Sequence, residues 1–259
     1  PGIVSTGDQG GQIYIRGGAP VQNKIMIDGM TIFNPFHSIG IFSVFETEAI
    51  KTIDVNSAGF NVEHGGRVSA IVDIKTKDGN KKRFGGVVGV RPFNAKAVLE
   101  GPLVKLNEEK AFSSSFLVSY KRSLLDLTSK SLYSYINKDG LPFSFEDYYG
   151  KINFGFDNGS KIDVFGFKFK DRVDYTKSTN FLWDNAGGGI NFVLNPTGSN
   201  FNIAVNANLT NYSIQLNELE QNPRTSSLNN YFVGANFTNY YSKSELQFGI
   251  EIGGNATNL

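Results

Sequence analysis

Apolar and polar residues alternate with a period of two through most of the chain after residue 83. In one such run, Phe201, Ile203 and Val205 would share one face of a β-strand, while Asn202 and Asn206 would share the other. This pattern predicts strands near residues 84–92, 94–102, 111–121, 148–157, 161–171, 186–195, 200–216, 229–241 and 245–254. Antiparallel strands with one apolar face build membrane β-barrels, but they also build soluble sandwiches and small ligand-binding barrels.

Three features favour the membrane barrel. The predicted strands run about ten residues, close to the ~9–11 needed to cross a tilted bilayer path, whereas strands of globular proteins average about 5–6. The face opposite the apolar side chains is polar without being heavily charged, which suits a water-filled lumen. Aromatic residues also gather near strand ends, as they do at membrane interfaces, at Tyr120, Tyr148, Tyr149, Tyr175, Trp183, Tyr212, Tyr240 and Tyr241.

The predicted connections alternate between short turns and longer segments. Residues 157–160, 195–199 and 242–244 are short turns, whereas 123–147 and 172–185 are long connections. Outer-membrane barrels have this layout, with short periplasmic turns and longer extracellular loops. Nine strands in lipid would leave two unpaired edges, and single-chain bacterial barrels have even strand numbers, so we expect the chain to be part of a longer polypeptide.

The first part of the chain has a different pattern, in which short strands alternate with compact glycine-rich loops. It predicts strands at 13–16, 24–27, 50–55 and 70–75, with one helical turn around residues 45–49. The polar, glycine-bearing stretch 77–83 reads as a linker. We therefore expect a small mixed α/β domain in residues 1–80 and barrel strands in residues 83–259.

Composition and charge exclude several functions. The 25 Lys and Arg residues almost balance the 24 Asp and Glu residues, so no overall charge favours nucleic acid. The chain has no cysteine, which excludes disulfides, thiolate metal sites and cysteine nucleophiles. It also contains no apolar run of 18 residues, so a transmembrane helix is not expected.

No catalytic or cofactor site is evident in the sequence. Gly17 and Gly18 are not followed by the Lys-Ser/Thr of a phosphate-binding loop. The carboxylates Glu46 and Glu48 come without a nucleophile or a positioned base. The two histidines lie far apart in sequence, which favours hydrogen-bonding roles over metal binding. We expect no enzymatic activity, no cofactor and no metal.

Four stretches of the first part, in order along the chain, resemble the plug domain of TonB-dependent outer-membrane receptors. They are Ile-Arg-Gly at 15–17, Ile-Met-Ile-Asp-Gly at 25–29, the acidic-flanked strand at 49–55 and the run at 63–77. Asn-Pro-Phe-His at 34–37 resembles a subgroup whose members often carry an upstream carboxypeptidase-like regulatory domain. The fold implied is a small α/β plug followed by antiparallel transmembrane barrel strands, about nine of roughly 22.

The resemblance also implies site residues. The plug motif would comprise Arg16, Gly17, Asp28, Gly29, Gly65, Gly66 and Arg67. Substrate contacts would come from the outward apex of the plug, at Phe33, Asn34, Phe36, His37 and Phe42. Arg16 would pair with carboxylates of the barrel wall, although a structural Arg that satisfies turn carbonyls is an equal alternative. For the aromatic residues of this unit, a role in the plug core is the favoured alternative.

The function implied is energy-coupled uptake of a scarce nutrient across the outer membrane of a Gram-negative bacterium. The partners would be the TonB energy-coupling complex, reached through an N-terminal box that would precede Pro1, a small-molecule or oligomeric cargo, and the lipid bilayer. One alternative is a plugged barrel that serves a larger envelope complex, in secretion or in glycan capture with a surface lipoprotein. A second alternative is a soluble β-rich binding or adhesion protein.

Overall fold

The structure, a computed structural model, is built mainly of β-strands. It describes residues 3–6, 12–37, 40, 42–57, 59, 69–107, 111–132, 134–135, 138–176, 179–219 and 221–259. No helix in these ranges is long and apolar enough to cross a membrane.

The N-terminal part forms two small sheets. Strands β1 (Ile3–Thr6) and β2 (Gln12–Ile15) pair with each other, and a four-stranded sheet has the order β4-β3-β6-β5. The strands of that sheet are β3 (Asn23–Ile27), β4 (Met30–Thr31), β5 (Ile50–Asn56) and β6 (Ala70–Thr76), with β3 and β6 parallel. The predicted helical turn is a 3₁₀ turn at Thr47–Ala49, and a second lies at Pro20–Gln22. This unit, called the plug below, has no α-helix in its described residues.

Two tight turns of the plug contain the expected glycines. Arg16 and Gly17 have φ of 48° and 81°, and Asp28 and Gly29 have φ of 49° and 85°. Positive φ at both central residues is the geometry of a type I′ turn, which Asp-Gly adopts readily. The second turn joins β3 to β4 and projects its tip out of the sheet.

The described residues beyond the linker form a nine-stranded antiparallel sheet, in which each strand pairs with its neighbours in sequence. Its strands are β7 (Gly85–Val90), β8 (Asn94–Val104), β9 (Phe112–Ser123), β10 (Phe143–Phe156), β11 (Lys161–Thr176), β12 (Thr179–Leu194), β13 (Phe201–Glu218), β14 (Arg224–Tyr240) and β15 (Glu245–Asn258). A helix, α1 (Leu125–Leu132), lies between β9 and β10. This sheet, called the wall below, confirms the predicted incomplete barrel.

The predicted long connection at 172–185 is wrong. Strand β11 continues to Thr176 and β12 starts at Thr179, and Arg172 pairs with Leu182 in a ladder whose register shifts between Asp174 and Thr176. The polar side chains of this region would indicate a loop if only loops exposed such side chains to water. A strand that extends beyond the membrane exposes them as well. Here the hairpin projects beyond the membrane, so its backbone is paired while its outer side chains are solvated. The other predicted long connection is shortened to 124–142.

Exposure distinguishes the two faces of the wall. On the face turned away from the plug, Val118, Ile152 and Val164 are 42%, 39% and 40% exposed. On the face turned towards the plug, Ser115 and Asn153 are fully buried. Apolar residues outside and polar residues inside are the reverse of a soluble protein, and they suit a wall that meets lipid on its outer face.

The polarity of the two faces switches along the strands. In β13, apolar residues occupy the outer face up to Leu209, but Asn211 and Ser213 follow on that same face. On the inner face the change is from polar to apolar residues, and Tyr212 and Ile214 lie beyond the switch. The pairing of β13 with both neighbours has no register shift there, so the switch marks a change of surroundings. Lipid meets the outer face before the switch and water meets it afterwards.

The extension beyond the switch occurs at one end of the wall. At the other end, β10 ends at the aromatic residue Phe156 and β13 begins at Phe201. The strands are connected at this end by the turns 157–160, 195–200 and 241–244. The longer projections of outer-membrane barrels are extracellular. We therefore name the end with α1 and the projecting hairpins the outer end.

Plug and wall share one hydrophobic cluster. Its plug members are Ile25, Ile27, Met30, Ile32, Val44, Ala49 and Ile74, and its wall members are Val98, Leu117, Tyr149, Phe165, Phe167 and Phe169. These residues lie at the centre of the interface. The clusters described next are polar and flank it.

Candidate functional site at the plug–wall interface

The Asp28 cluster consists of Asp28, Thr76, Tyr149 and Lys151. The Thr76 backbone N–H donates to Asp28 Oδ1 at 3.1 Å, and its hydroxyl donates to Oδ2 at 2.7 Å. The Tyr149 hydroxyl of the wall donates to the same Oδ2 at 2.5 Å, and Lys151 Nζ lies 3.4 Å from Oδ1. Both carboxylate oxygens of a buried plug residue are therefore bound partly by the plug and partly by the wall.

Lys151 brings a charge into this buried site. Its side chain is 3% exposed, and Nζ also lies 3.5 Å from Asp78 and 3.9 Å from Asp163. Lys161 adds a second contact to Asp163 at 3.1 Å. A buried ammonium needs such carboxylates because removing it from water carries a large desolvation penalty.

The tip of the same turn is held by amide side chains of the wall. Asn191 Nδ2 donates to the Asp28 carbonyl at 2.9 Å, and Asn208 Nδ2 donates to the Gly29 carbonyl at 3.3 Å. A Cβ on Gly29 would lie 2.5 Å from Asn206 Nδ2. Glycine is favoured at this position for two reasons, its positive φ and the close approach of the wall.

The His37 cluster lies between the plug apex and strands β9, β10 and β11. His37 is 2% exposed, with Nε2 at 3.0 Å from Asp147 Oδ2 and Nδ1 at 3.4 Å from Asp171 Oδ2. Its ring stacks on Phe145 with a centroid distance of 3.9 Å. Lys121 Nζ lies 3.1 Å from the same Asp147 oxygen. Burial alone would lower the pKa of His37, but hydrogen bonds to Asp147 and Asp171 and their charges outweigh it and raise the pKa.

A third contact joins the plug to β8. Lys96 Nζ lies 2.7 Å from Glu46 Oε1 and 2.5 Å from Glu48 Oε2. A hydrogen bond shared with Glu46 and another with Lys96 lower the pKa of Glu48. The neighbouring Lys121 Nζ donates to the Ser43 carbonyl at 2.6 Å. Wall cations therefore hold the plug segment that connects the His37 cluster to the 3₁₀ turn at Thr47–Ala49.

The predicted plug-motif residues fall in different places. Asp28 and Gly29 contact the wall directly. Arg16 is exposed, and within the described ranges no ion pair joins it to a wall carboxylate, so that pairing stays a prediction. Gly17 lies in the turn beside Arg16. The other three motif residues, Gly65, Gly66 and Arg67, lie outside the described residues.

The predicted substrate contacts also lie in different surroundings. Phe33 lies beside Tyr212 of the wall with ring centroids 6.3 Å apart, and it is half-buried, as are Asn34 and Phe36. Phe42 packs between Phe93 and Phe145. The geometry of His37 supports attachment to the wall, and cargo contact stays a prediction for the whole set. No group of three or more His, Cys, Asp or Glu within the described ranges has metal-binding geometry.

Sequence reasoning missed the wall partners. Asp147, Tyr149 and Lys151 lie at alternate positions of β10 and therefore face the plug together. Lys96 and Lys121 occupy inward positions of β8 and β9. The available signal was the occurrence of ionisable residues on a face that otherwise carries Ser, Asn and apolar residues.

Comparison with protein families gives one match. Residues 1–71 match the TonB-dependent Receptor Plug Domain family. Comparison with curated protein sequences gives no match.

Solved structures share the fold. The chain superposes on the copper transporter OprC with a TM-score of 0.67 at 12% identity, covering 99% of this chain and 42% of that one. It superposes on the FrpB iron transporter of Neisseria meningitidis with a TM-score of 0.68 at 13% identity, covering 100% and 45%. For the Serratia marcescens hemophore receptor HasR, solved with its hemophore HasA and heme, the values are 0.65, 11%, 99% and 40%. The chain thus spans less than half the length of these structures.

A wall with lipid-facing apolar residues, attached to a plug on its inner face, defines a plugged outer-membrane barrel. Residues 1–71 match the plug-domain family of TonB-dependent receptors, and the whole chain shares the fold of such receptors, with a plug domain followed by an incomplete barrel. Its location is accordingly the outer membrane of a Gram-negative bacterium.

Proposed function

We propose that the complete protein takes up a scarce extracellular nutrient by energy-coupled remodelling of its plug. The observation that supports this is the polar attachment of plug to wall, through the Asp28 cluster, the His37 cluster and the contact of Lys96 with Glu46 and Glu48. The energy-coupling complex would pull on an N-terminal box of the plug and separate these contacts from the wall.

Polar attachment suits a part that must detach and return. Hydrogen bonds to the wall exchange for hydrogen bonds to water when the plug moves, so each contributes only about 0.5–1.5 kcal/mol net. Buried ion pairs likewise add little net stability, but they define one docked orientation. An interface that was apolar throughout would instead expose its whole area to water during transport.

Cargo would enter from the outer end. Half-buried Phe33, Asn34 and Phe36 lie at the apex of the plug, and the inner face of the hairpins above them carries Trp183 and Ile214. The His37 cluster lies close to that apex, since His37 follows Phe36 directly. Cargo bound at the apex can therefore bias the attachment of the plug. The candidate cargoes are siderophores, vitamins, glycans and peptides.

A cross-linking experiment tests plug movement. The complete receptor would carry Glu46→Cys and Lys96→Cys, joined by a short bifunctional thiol reagent, in cells with an intact TonB complex. Accumulation of labelled cargo, screened over the four cargo classes, should require TonB and should stop when the plug is joined to the wall.

The matched control joins two residues of the wall. Lys168 and Asp184 form an ion pair at 3.4 Å, so Lys168→Cys and Asp184→Cys can be joined in the same way without tying the plug. Uptake should continue in that variant. Uptake at the unmodified rate with a fully joined plug, or uptake without TonB, would overturn the proposal.

A further inference from the structure

The inner face of the wall carries an apolar patch just beyond the polarity switch, at the outer end. This inner patch consists of Val173, Phe181, Trp183, Ile214 and Leu216. Across β11, β12 and β13, Val173 lies opposite Phe181, and Phe181 lies opposite Leu216. In the next row Trp183 lies opposite Ile214. Residues directly opposite each other on neighbouring strands share a face of the sheet, so these side chains form one continuous surface.

The inner patch is continuous with the plug apex. On β13 the next inner residue towards the plug after Ile214 is Tyr212, whose ring centroid is 6.3 Å from that of Phe33 at the apex. Phe181, Trp183 and Ile214 are half-buried. Apolar side chains that stay accessible at the entrance of a barrel indicate a binding surface rather than a core.

Two aromatic rings of the inner patch have a defined arrangement. Phe181 and Trp183 are stacked, with ring centroids 5.5 Å apart and an angle of 19° between their planes. Aromatic rings attract one another in offset-stacked arrangements at such distances. A flat apolar group of a cargo can extend this pair as a third ring. Ile214, opposite Trp183, would give the same group an aliphatic neighbour.

The charged side chains of the hairpin between β11 and β12 point away from the inner patch. Arg172 and Asp174 flank Val173 on β11, and Asp184 follows Trp183 on β12. Successive side chains of a strand point to opposite faces, so these three charges lie on the outer face. The hairpin therefore separates its charged residues from its apolar ones.

The charged residues on the inner face are already engaged. In the described parts of β11 to β14 beyond the switch, this face carries Asp171, Glu218 and Arg224. Asp171 lies 3.4 Å from His37, and Arg224 pairs with Glu218. A negatively charged cargo on the inner patch would lose water without gaining an unpaired cation, which is unfavourable. An uncharged cargo carries no such penalty.

We propose that the cargo is an uncharged compound with a flat apolar group, and that this group packs against Phe181, Trp183 and Ile214. The inference rests on the proposed uptake function, because the inner patch lies on the same entry path. It narrows that function to one class of cargo, since an anionic chelate would be selected against.

The test measures the binding of two probes that differ in charge alone. Phenylnaphthylamine is uncharged, and anilinonaphthalene sulfonate has the same rings with one negative group. The complete receptor in lipid nanodiscs is dialysed against each probe, and the binding to empty nanodiscs is subtracted. The uncharged probe should bind about tenfold more tightly than the sulfonate. Equal binding of the two probes, or no binding above that of empty nanodiscs, would overturn the proposal.

Two matched variants locate the bound probe. Trp183→Ser removes the largest apolar contact of the inner patch and should weaken binding of the uncharged probe about tenfold. Leu182→Ser makes a comparable change one position away on the outer face, and it should bind this probe normally. An equal loss in both variants would contradict the assignment, because a general disturbance of the hairpin would then explain it.

A third variant tests the role of charge. Ile214→Lys places a cation on the inner patch and should reverse the preference, so that the sulfonate binds more tightly than the uncharged probe. An unchanged preference would show that charge does not determine selection there. These measurements need neither TonB nor transport. A receptor that binds the probes as expected but shows no TonB-dependent uptake would contradict the proposed function and leave this inference standing.

Discussion

The Asp28 cluster and the His37 cluster both attach the plug to the wall, but they do so differently. Asp28 is already held within the plug by two hydrogen bonds from Thr76, and the wall adds Tyr149 and Lys151. His37 has its two charged partners, Asp147 and Asp171, on the wall alone. The first cluster therefore depends on the geometry of a preformed turn, whereas the second depends on a positive charge on His37 that deprotonation removes.

This difference predicts unequal consequences when the plug leaves the wall. The Asp28 carboxylate keeps its plug partners, because Thr76 lies on the strand adjacent to the turn. His37 loses both carboxylates at once. The His37 cluster should therefore be the more sensitive to conditions and the Asp28 cluster the more sensitive to substitution.

The largest effect is expected for Asp28→Ala. It removes a carboxylate next to the buried Lys151 ammonium, and breaking a buried pair from one side destabilises by about 3–5 kcal/mol. Amide hydrogen exchange of β3 and β6 in the purified receptor should accelerate accordingly. The control is Asp54→Ala, an exposed acid on β5, and equal acceleration in both variants would contradict the prediction.

The next effect is the pH dependence of the His37 cluster. The folded pKa of His37 is raised above 6.5, so its stabilisation is complete below pH 6.5 and is lost as pH rises through the folded value. The change is at most about 1.4 kcal/mol per pH unit. Spin labels on Thr47→Cys and Leu106→Cys should show a broader plug–wall distance distribution as pH increases.

The variant His37→Gln tests whether His37 is the group that causes this pH dependence. The groups that face His37 are Asp147, Asp171 and Lys121, and all of them remain in the variant. The plug–wall distance distribution of the His37→Gln variant should not change with pH. A pH response that persists in His37→Gln would attribute the effect to another group.

An effect of similar size is expected for Gly29→Ala, which tests the geometry of the Asp28 turn. The residue has φ of 85°, and the new Cβ would approach Asn206 Nδ2 to 2.5 Å. Strain of this kind amounts to about 1–3 kcal/mol, measured by urea unfolding. Gly59→Ala is the control, since no atom lies within 4 Å of its Cβ position. Adding Asn206→Ala should restore only part of the loss, because the unfavourable φ remains.

The smallest effect is expected for an exposed ion pair. Arg224 pairs with Glu218, and their side chains are 66% and 30% exposed. Arg224→Ala should change the free energy of unfolding by less than about 1 kcal/mol. A loss as large as that of Asp28→Ala would show that burial does not distinguish the two kinds of contact.

Much of the fold follows from local sequence pattern. Period-two alternation located the strands of the wall, and the Asp28-Gly29 pair located the tight turn, because each signal depends on neighbouring residues alone. The hairpin at 172–185 was missed because polar residues in a solvated strand look like those of a loop. The phase change between Leu209 and Tyr212 is a signal in the sequence that identifies such a strand.

The candidate site depends on contacts that a local pattern cannot give. Asp28 and Tyr149 are 121 positions apart, and His37 and Asp147 are 110 apart. Their encounter depends on how the plug is oriented against the wall.

The polarity switch also fixes how deeply the receptor sits in its membrane. Displacement inwards would bring Lys168 into hydrocarbon, and displacement outwards would expose Leu209 to water. A cation on the lipid face costs from about 0–1 kcal/mol near the interface to 2–4 kcal/mol at the midplane. The bilayer must therefore adjust its thickness to the protein, and hydrophobic matching of this kind favours neighbours with an apolar band of the same height.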